Sequence, residues 1–291
     1  MQKDIVQIKH NGLVVVTDSK GNPVTLGDIT KSTWDNLWNS NKDKIREENG
    51  ITNLPLLMSF DMIRACNLRC PTCRSDLRTT DLEGTEKAVD ETIKMCSFLK
   101  TLQFYTGDVF SSKNGRRLLR SIPNNSALKK LTLGTNLIAF NFPLWKSVSN
   151  IHDRNFVFSV SIDAATPETY EKNRPPATWD MLVKRLKIIE DIKKDHKINL
   201  HFNFVVQENN YKEMPLFIEF AKHHRARVIW HLPLYWPKSG YTEEEYYRTV
   251  EIHNPKHRNH QNLLRVLEEN SIKVEDLYGC GSWYIKTGGV D

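Results

Sequence analysis

The sequence of 291 residues has no apolar run near the ~20 residues that a membrane-spanning helix needs. It also has no internal repeat, no low-complexity stretch and no secretory signal after Met1. Hydrophobic residues make up 39% of the chain and charged residues 26%. This composition is typical of a soluble globular protein, and we expect a cytoplasmic location without membrane attachment.

Cysteine is scarce, with five residues in the whole chain. The number is odd, and three of the five lie within eight positions, at Cys66, Cys70 and Cys73. A disulfide framework would need paired cysteines spread along the chain, so this pattern excludes one and indicates a reducing compartment.

Clusters of basic residues are also missing, although the formal net charge is +6. The lysines and arginines of residues 184–197 alternate with apolar positions at helical spacing, which indicates a solvated helix face. We therefore do not expect a nucleic-acid partner. A mildly basic surface does favour an anionic substrate.

Strand and helix patterns alternate from about residue 56 to residue 232. Strands are predicted at 56–60, 102–105, 128–133, 156–162, 200–206 and 228–232. Six β-then-α units predict a parallel sheet with right-handed crossovers. Six strands are too few for a closed eight-stranded barrel, so we expect an α/β fold, a partial (β/α)6 TIM-like barrel.

The segments before and after these six β-then-α units predict two smaller parts of the protein. Residues 1–55 suggest a hairpin and helix packed beside the barrel, and residues 56–235 form the barrel core. Residues 236–291 suggest a helical extension that ends in a tail carrying Cys280. In a parallel sheet of this kind, chemical residues are expected in the loops that follow the strands.

The three clustered cysteines lie in the first of these loops, directly after the first predicted strand. Their spacing lets a looping backbone bring three thiolates together. On a four-iron cube, three thiolates leave one iron open to a chelating small molecule. Zinc is an alternative, but a structural zinc site needs a fourth ligand, and none follows. Unpaired structural cysteines are the remaining alternative.

The pattern C-x-x-x-C-x-x-C in a first βα loop resembles the radical S-adenosylmethionine superfamily, and CNLRCPTCR is most similar to its SPASM/twitch branch. The resemblance implies a [4Fe-4S] cluster on Cys66, Cys70 and Cys73 and S-adenosylmethionine on the open iron. It further implies reductive cleavage of that cofactor, with electrons from a flavodoxin or ferredoxin. The resulting 5′-deoxyadenosyl radical would abstract hydrogen from a small-molecule, sugar or peptide substrate, for oxidation, epimerisation or cross-linking.

The same resemblance extends to the loop after the second strand, which reads YTGDVF. It is similar to the family loop that binds the methionine amino group of the cofactor. Gly107 would let the backbone approach the ligand, and Asp108 would accept from the ammonium group. After the third strand, Asn136 would either orient substrate or cap the following helix.

The segment after the fourth strand, SIDAATPETYEKNR, resembles a family motif closely. Ser161 and Asp163 are expected at the barrel mouth, and Arg174 is expected to pair with the cofactor carboxylate. On the fifth strand, Asn203 and Gln207 are candidates for the ribose or the substrate.

Two cysteines remain outside the cluster, too few for a second cluster of the usual kind. Cys96 lies in an amphipathic helix and is expected to be buried and inert. Cys280 is either a remnant of an auxiliary cluster region, a thiol that returns hydrogen to a substrate radical, or a structural residue. Two alternative functions stay open: a degenerate or accessory protein of the same fold, and an enzyme that modifies RNA.

Overall fold

The computed structural model describes residues 5–17, 22–50, 54–73, 80–147, 154–237 and 239–279. The strands in these ranges form one ten-stranded sheet. In chain order they are β1 (Ile5–Ile8), β2 (Leu13–Thr17), β3 (Pro23–Asp28), β4 (Leu57–Phe60), β5 (Thr101–Phe104), β6 (Lys130–Thr135), β7 (Asn155–Ser161), β8 (Ile198–Val205), β9 (Ala226–Leu232) and β10 (Leu277–Gly279).

Strands β4 to β9 are the six predicted strands, and each pairs in parallel with the next. The order across the sheet runs from β10 at one edge to β3 at the other, so the described sheet stays open. The predicted α/β partial barrel is confirmed.

Helices follow the parallel strands and cover the outer face of the sheet. In chain order the α-helices of the described ranges are α1 (Trp34–Asn49), α2 (Thr85–Met95), α3 (Lys113–Ser121), α4 (Phe142–Lys146), α5 (Pro167–Asn173), α6 (Trp179–Ile192), α7 (Met214–His223), α8 (Glu243–Thr249) and α9 (His260–Glu269). Helix α6 begins after Thr178, whose side chain accepts from the Met181 amide, and it buries Leu182, Leu186 and Ile189 at helical spacing.

The two faces of the barrel strands differ in chemistry. On the outer face, Phe158 of β7 packs against Phe140 with ring centroids 5.5 Å apart, and Phe204 of β8 packs 4.7 Å from Phe217 of α7. On the inner face, the Asn203 amide donates to Ser159 Oγ at 2.8 Å. The apolar core therefore lies between sheet and helices, and polar side chains line the inside of the open barrel.

The N-terminal residues join the sheet instead of packing beside it. Strand β1 pairs in parallel with β4, and β2 and β3 continue the sheet in antiparallel order. This arrangement covers the edge of β4 that would otherwise present unpaired backbone groups. Helix α1 is fixed to the barrel because the Trp34 amide donates to the buried Glu91 carboxylate at 2.8 Å.

None of the helices in the described part of the chain combines the length and the apolar content needed to cross a bilayer.

Candidate active site

Backbone hydrogen bonds hold the cysteine loop at several points. The amides of Arg64 and Ala65 donate to Asp81 Oδ1 at 3.0 and 3.1 Å, just before the first cysteine. Further along, the Arg69 amide donates to the Pro175 carbonyl at 2.6 Å, and the Gly240 amide donates to the Pro71 carbonyl at 2.8 Å. The loop is thus anchored to segments that follow α5 and β9.

Two of the three clustered thiols have nitrogen donors beside them. Asn136 Nδ2 lies 3.5 Å from Cys66 Sγ, and Arg174 Nη1 lies 3.7 Å from Cys70 Sγ. Burial raises the pKa of the Cys66 thiol to about 12, and the charges of Asp108, Cys70 and Cys73 add to this rise. Cys70 and Cys73 therefore lie near enough to Cys66 for their charges to act on its thiol.

A single metal ion would need its ligands gathered around one point, as in a zinc site. Among the described residues, no three Cys, His, Asp or Glu side chains are gathered in that way. A four-iron cube instead holds its cysteine sulfurs on separate corners and favours N–H donors to them. Three neighbouring thiols, two of them beside such donors, fit that larger group.

The aspartate of the second βα loop is fully buried and is used by protein donors. Asp108 Oδ1 accepts from the amides of Phe110 and Ser111 at 3.1 and 2.8 Å. Its Oδ2 accepts from Thr135 Oγ1 and from the Asn136 amide, both at 2.8 Å. The carboxylate therefore joins the loop after β5 to the loop after β6.

Gly107 has a φ of +61°, and a Cβ there would lie 2.7 Å from the carbonyl oxygen of Ile63. The glycine thus allows the loop after β5 to lie against the backbone just before the cysteine loop.

The side chain of Asn136 connects the third βα loop to the cysteines. Besides its contact with Cys66, Nδ2 donates to Asn67 Oδ1 at 2.9 Å, and Asn136 Oδ1 accepts from the Ile138 amide at 2.9 Å. Leu137 follows with a φ of +64° and is fully buried. Branched side chains rarely adopt this backbone region, so Leu137 holds a strained position after β6.

A buried ion pair lies in the fourth βα loop. Asp163 Oδ2 pairs with Arg174 Nη2, with the two side chains 6% and 13% exposed. Asp163 Oδ1 also accepts from the Val205 amide at 2.8 Å. Burial alone would lower the pKa of Arg174, but the neighbouring Asp163 and Cys70 outweigh it and raise that pKa. Arg174 thus stays charged between the Asp163 carboxylate and Cys70.

The strand ends of β7, β8 and β9 present a polar row on the inner face. Ser161 lies opposite Asn203 in the sheet register. Asn203 Oδ1 is 3.1 Å from His231 Nε2. Burial lowers the pKa of His231 to about 4, so this imidazole is neutral near pH 7.

Similar proteins are found among solved structures and not by sequence. No protein-family model matches the chain, and neither does any curated protein sequence. Among solved structures, SuiB of Streptococcus suis bound to S-adenosylmethionine is similar, with 11% identity and a TM-score of 0.54 over 98% of this chain and 74% of SuiB. SuiB bound to the precursor peptide SuiA is similar with 10% identity and a TM-score of 0.53 over 97% of this chain and 72% of SuiB.

The chain has the fold of SuiB. At this level of identity the similarity shows the architecture alone.

Within this fold, the predicted site residues separate by what they contact. Gly107, Asp108, Asp163 and Arg174 bind mainly to other protein groups that hold the loops. Ser161 and Asn203 lie on the inner face, while Gln207 is buried beside the Asn210 side chain, which accepts from the Gln207 amide at 2.7 Å.

The remaining cysteines differ in what can be said of them. Cys96 is buried at the end of α2, as expected, and burial raises the pKa of its thiol to about 12. Cys280 lies outside the described residues, and its role stays a prediction.

Sequence reasoning missed several residues that support the site. Asp81, besides its backbone contacts, accepts from Ser112 Oγ at 2.5 Å. Glu213 accepts from the Ala165 and Thr166 amides at 2.6 and 3.1 Å. Neither carboxylate belongs to a recognisable motif, because each acts on a loop that is distant in sequence. Asn67 was missed as well, although its place directly after Cys66 in the cysteine motif is a signal that could have found it.

Proposed function

We propose that this protein is a radical S-adenosylmethionine enzyme that cleaves its cofactor reductively and abstracts a hydrogen atom from a substrate. The observation that carries this proposal is the cysteine loop itself. Cys66, Cys70 and Cys73 follow the first barrel strand, Cys70 and Cys73 lie near enough to act on the Cys66 thiol, and the Asn136 amide and the Arg174 guanidinium lie beside two of the three sulfurs.

The three cysteines would hold a [4Fe-4S] cluster and leave one iron for S-adenosylmethionine. When bound, the cluster would pass one electron to the cofactor and so generate a 5′-deoxyadenosyl radical. The electron would come from a reduced flavodoxin or ferredoxin. Asn136 and Arg174 would stabilise the thiolate charge through N–H donors beside Cys66 and the buried Cys70.

Cofactor binding would use groups that the protein leaves available. Arg174 Nε is buried and makes no hydrogen bond with any residue in the described ranges, so we assign it to the cofactor carboxylate. Ser161, Asn203 and Gln207 would meet the ribose or the substrate. Asp108 and Asp163 would position the loops, and backbone carbonyls beside Gly107 would accept from the cofactor ammonium.

A peptide is the substrate class that we favour. The crystal structure of SuiB with its precursor peptide is that of a protein with the same fold and supports this class. Sugars and other small molecules are the remaining classes. We also place the enzyme in a reducing compartment, because Cys66, Cys70, Cys73 and Cys96 are free thiols.

Anaerobic reconstitution tests the proposal. The protein should take up about four irons per chain and form 5′-deoxyadenosine from S-adenosylmethionine in the presence of dithionite, as measured by mass spectrometry. Cys66→Ala, Cys70→Ala and Cys73→Ala should each abolish product. Cys96→Ala is the matched control, since it removes a buried thiol away from the loop, and it should keep activity.

A wild-type protein that binds iron but forms no 5′-deoxyadenosine would identify an accessory protein of the same fold and would refute the proposal. Cys280→Ala tests the hydrogen-donor hypothesis separately. This variant should still cleave S-adenosylmethionine, while hydrogen return to the substrate should fail.

A further inference from the structure

Tyr170 of α5 has a buried hydroxyl with no hydrogen-bond partner among the residues that the structure describes. The whole residue is 0% exposed, and its ring packs edge-on against Trp179 with the centroids 5.6 Å apart. A phenylalanine would fill the same space without burying a polar group. Because an unpaired buried donor costs free energy, this hydroxyl indicates a partner that a bound group supplies.

The position of Tyr170 on its helix directs it towards the cysteine loop. The Arg174 amide donates to the Tyr170 carbonyl at 2.8 Å, so these residues are one helical turn apart and share one face of α5. From this face Arg174 reaches Cys70, with 3.7 Å between Nη1 and Sγ. The Arg69 amide donates to the Pro175 carbonyl at 2.6 Å. The end of α5 therefore lies against the cysteine loop.

The charges that act on the hydroxyl agree with this placement. Burial raises the pKa of the Tyr170 hydroxyl, the Arg174 guanidinium opposes the rise, and Cys70 and Asp163 add to it. Charges shift the pKa of a neighbouring group strongly only over short distances. The hydroxyl therefore lies close to Cys70 and to the ion pair of Asp163 and Arg174.

The cysteine sulfur changes as an acceptor when it binds iron. A thiol sulfur accepts hydrogen bonds weakly, whereas an ionised acceptor makes hydrogen bonds about twice as strong as a neutral one. Cys70 is a free thiol in this structure. A cysteine that ligates a metal is a thiolate. Cluster binding would therefore create, next to Tyr170, the acceptor that its hydroxyl lacks.

We propose that Tyr170 is a positioning residue of the cluster site, whose hydroxyl donates a hydrogen bond to the Cys70 sulfur when that sulfur binds iron. This inference rests on the proposed function for the presence of a [4Fe-4S] cluster. Hydrogen bonds to cluster sulfurs favour the reduced, more negative state and so raise the reduction potential. The hydroxyl keeps its proton, and one electron from the reduced flavodoxin or ferredoxin is all that is transferred.

Tyr170→Phe tests the proposal, because it removes the O–H donor and keeps the ring. Redox titration of the reconstituted protein without S-adenosylmethionine, followed by electron paramagnetic resonance, should show a cluster about tenfold harder to reduce, which is a potential lower by about 59 mV for one electron. Tyr211→Phe is the matched control, since Tyr211 is another buried tyrosine, on the segment after β8, and it should leave the potential unchanged. A change of less than about twofold in Tyr170→Phe, or an equal fall in Tyr211→Phe, overturns the proposal.

The stability of the iron-free protein separates this role from a structural one. Without a cluster the hydroxyl has no partner to lose, so the Tm of Tyr170→Phe in differential scanning fluorimetry should be no lower than that of the wild type. A clearly lower Tm, or a variant that does not fold, would mean that the hydroxyl already stabilises the iron-free protein and would overturn the proposal.

Failure of this inference and failure of the proposed function give different results. A wild-type protein that takes up no iron refutes both. A wild-type protein that takes up the cluster, with the same potential in Tyr170→Phe, refutes this inference alone. The potential is measured without turnover, so it does not depend on 5′-deoxyadenosine formation.

Discussion

Replacing Arg174 by methionine should destabilise the protein severely. The substitution leaves Asp163 buried, with its side chain 6% exposed and, among the described residues, the Val205 amide as the remaining donor to its carboxylate. Removing one partner of a buried ion pair costs about 3–5 kcal/mol. An unfolding entropy of about 2.1 cal/mol/K per residue gives about 0.6 kcal/mol/K for a chain of this length, so Tm should fall by about 5–8 °C.

Substituting Asp163, alone and together with Arg174, makes this prediction specific to the ion pair. Asp163→Asn keeps a residue that tolerates the φ of +60° at this position, and it leaves the arginine without its anion. It should be destabilised by a similar amount. The double variant Asp163→Asn/Arg174→Met removes both charges and should regain about half of the loss or more.

Differential scanning fluorimetry of the four proteins, prepared without oxygen and without iron, measures these changes. A fall in Tm of less than about 2 °C in Arg174→Met, or losses of the two single variants that simply add in the double variant, would contradict this prediction. Additive losses would mean that the two side chains do not depend on each other.

Three further predictions concern other residues of the site. Leu137→Gly should be no less stable than Leu137→Ala in urea denaturation. Alanine variants are usually more stable than glycine variants, but glycine relieves about 1 kcal/mol of strain at φ +64°. A clearly more stable alanine variant would contradict this. Asn136→Ala removes a donor to Cys66 and should lower 5′-deoxyadenosine formation about tenfold without preventing folding; unchanged turnover would count against that contact. Burial, aided by Arg227, lowers the pKa of His201 to about 4. The folded state therefore resists protonation, and Tm should fall as pH drops from 6.5 towards 4, less steeply in His201→Gln; equal slopes would exclude this histidine as a cause.

The framework of the fold could be predicted because each barrel strand has its own local signal. Strand β7, for example, carries Phe156, Phe158 and Val160 at every second position, which is the period of a strand with one apolar face. The pairing of β1 with β4 could not be predicted in the same way. Its four residues carry no pattern that distinguishes a sheet extension from a separate hairpin, and the choice depends on a free strand edge far along the chain.

The site was predictable to a different degree. The three cysteines have a spacing that only a few chemistries use, so the sequence points to their common role. The motif carboxylates Asp108 and Asp163 were expected to meet the cofactor, whereas each is surrounded by protein donors. A motif identifies which residues the loop requires, but it cannot distinguish a residue that binds the ligand from one that shapes the loop.

Carboxylates connect neighbouring loops around the mouth of the barrel. Asp81 joins the cysteine loop to Ser112 at the start of α3, Asp108 joins the second loop to Asn136 of the third, and Glu213 joins the segment after β8 to the loop after β7. Asp108 is buried and the other two are half-buried. Each of the three carboxylates accepts at least one backbone amide, so moving one loop would leave a charge poorly satisfied in its neighbour. Such coupling resists motion of any single loop. Under the proposed function, a radical formed at this mouth would need fixed distances, and the cross-loop carboxylates would provide that rigidity before the cofactor binds.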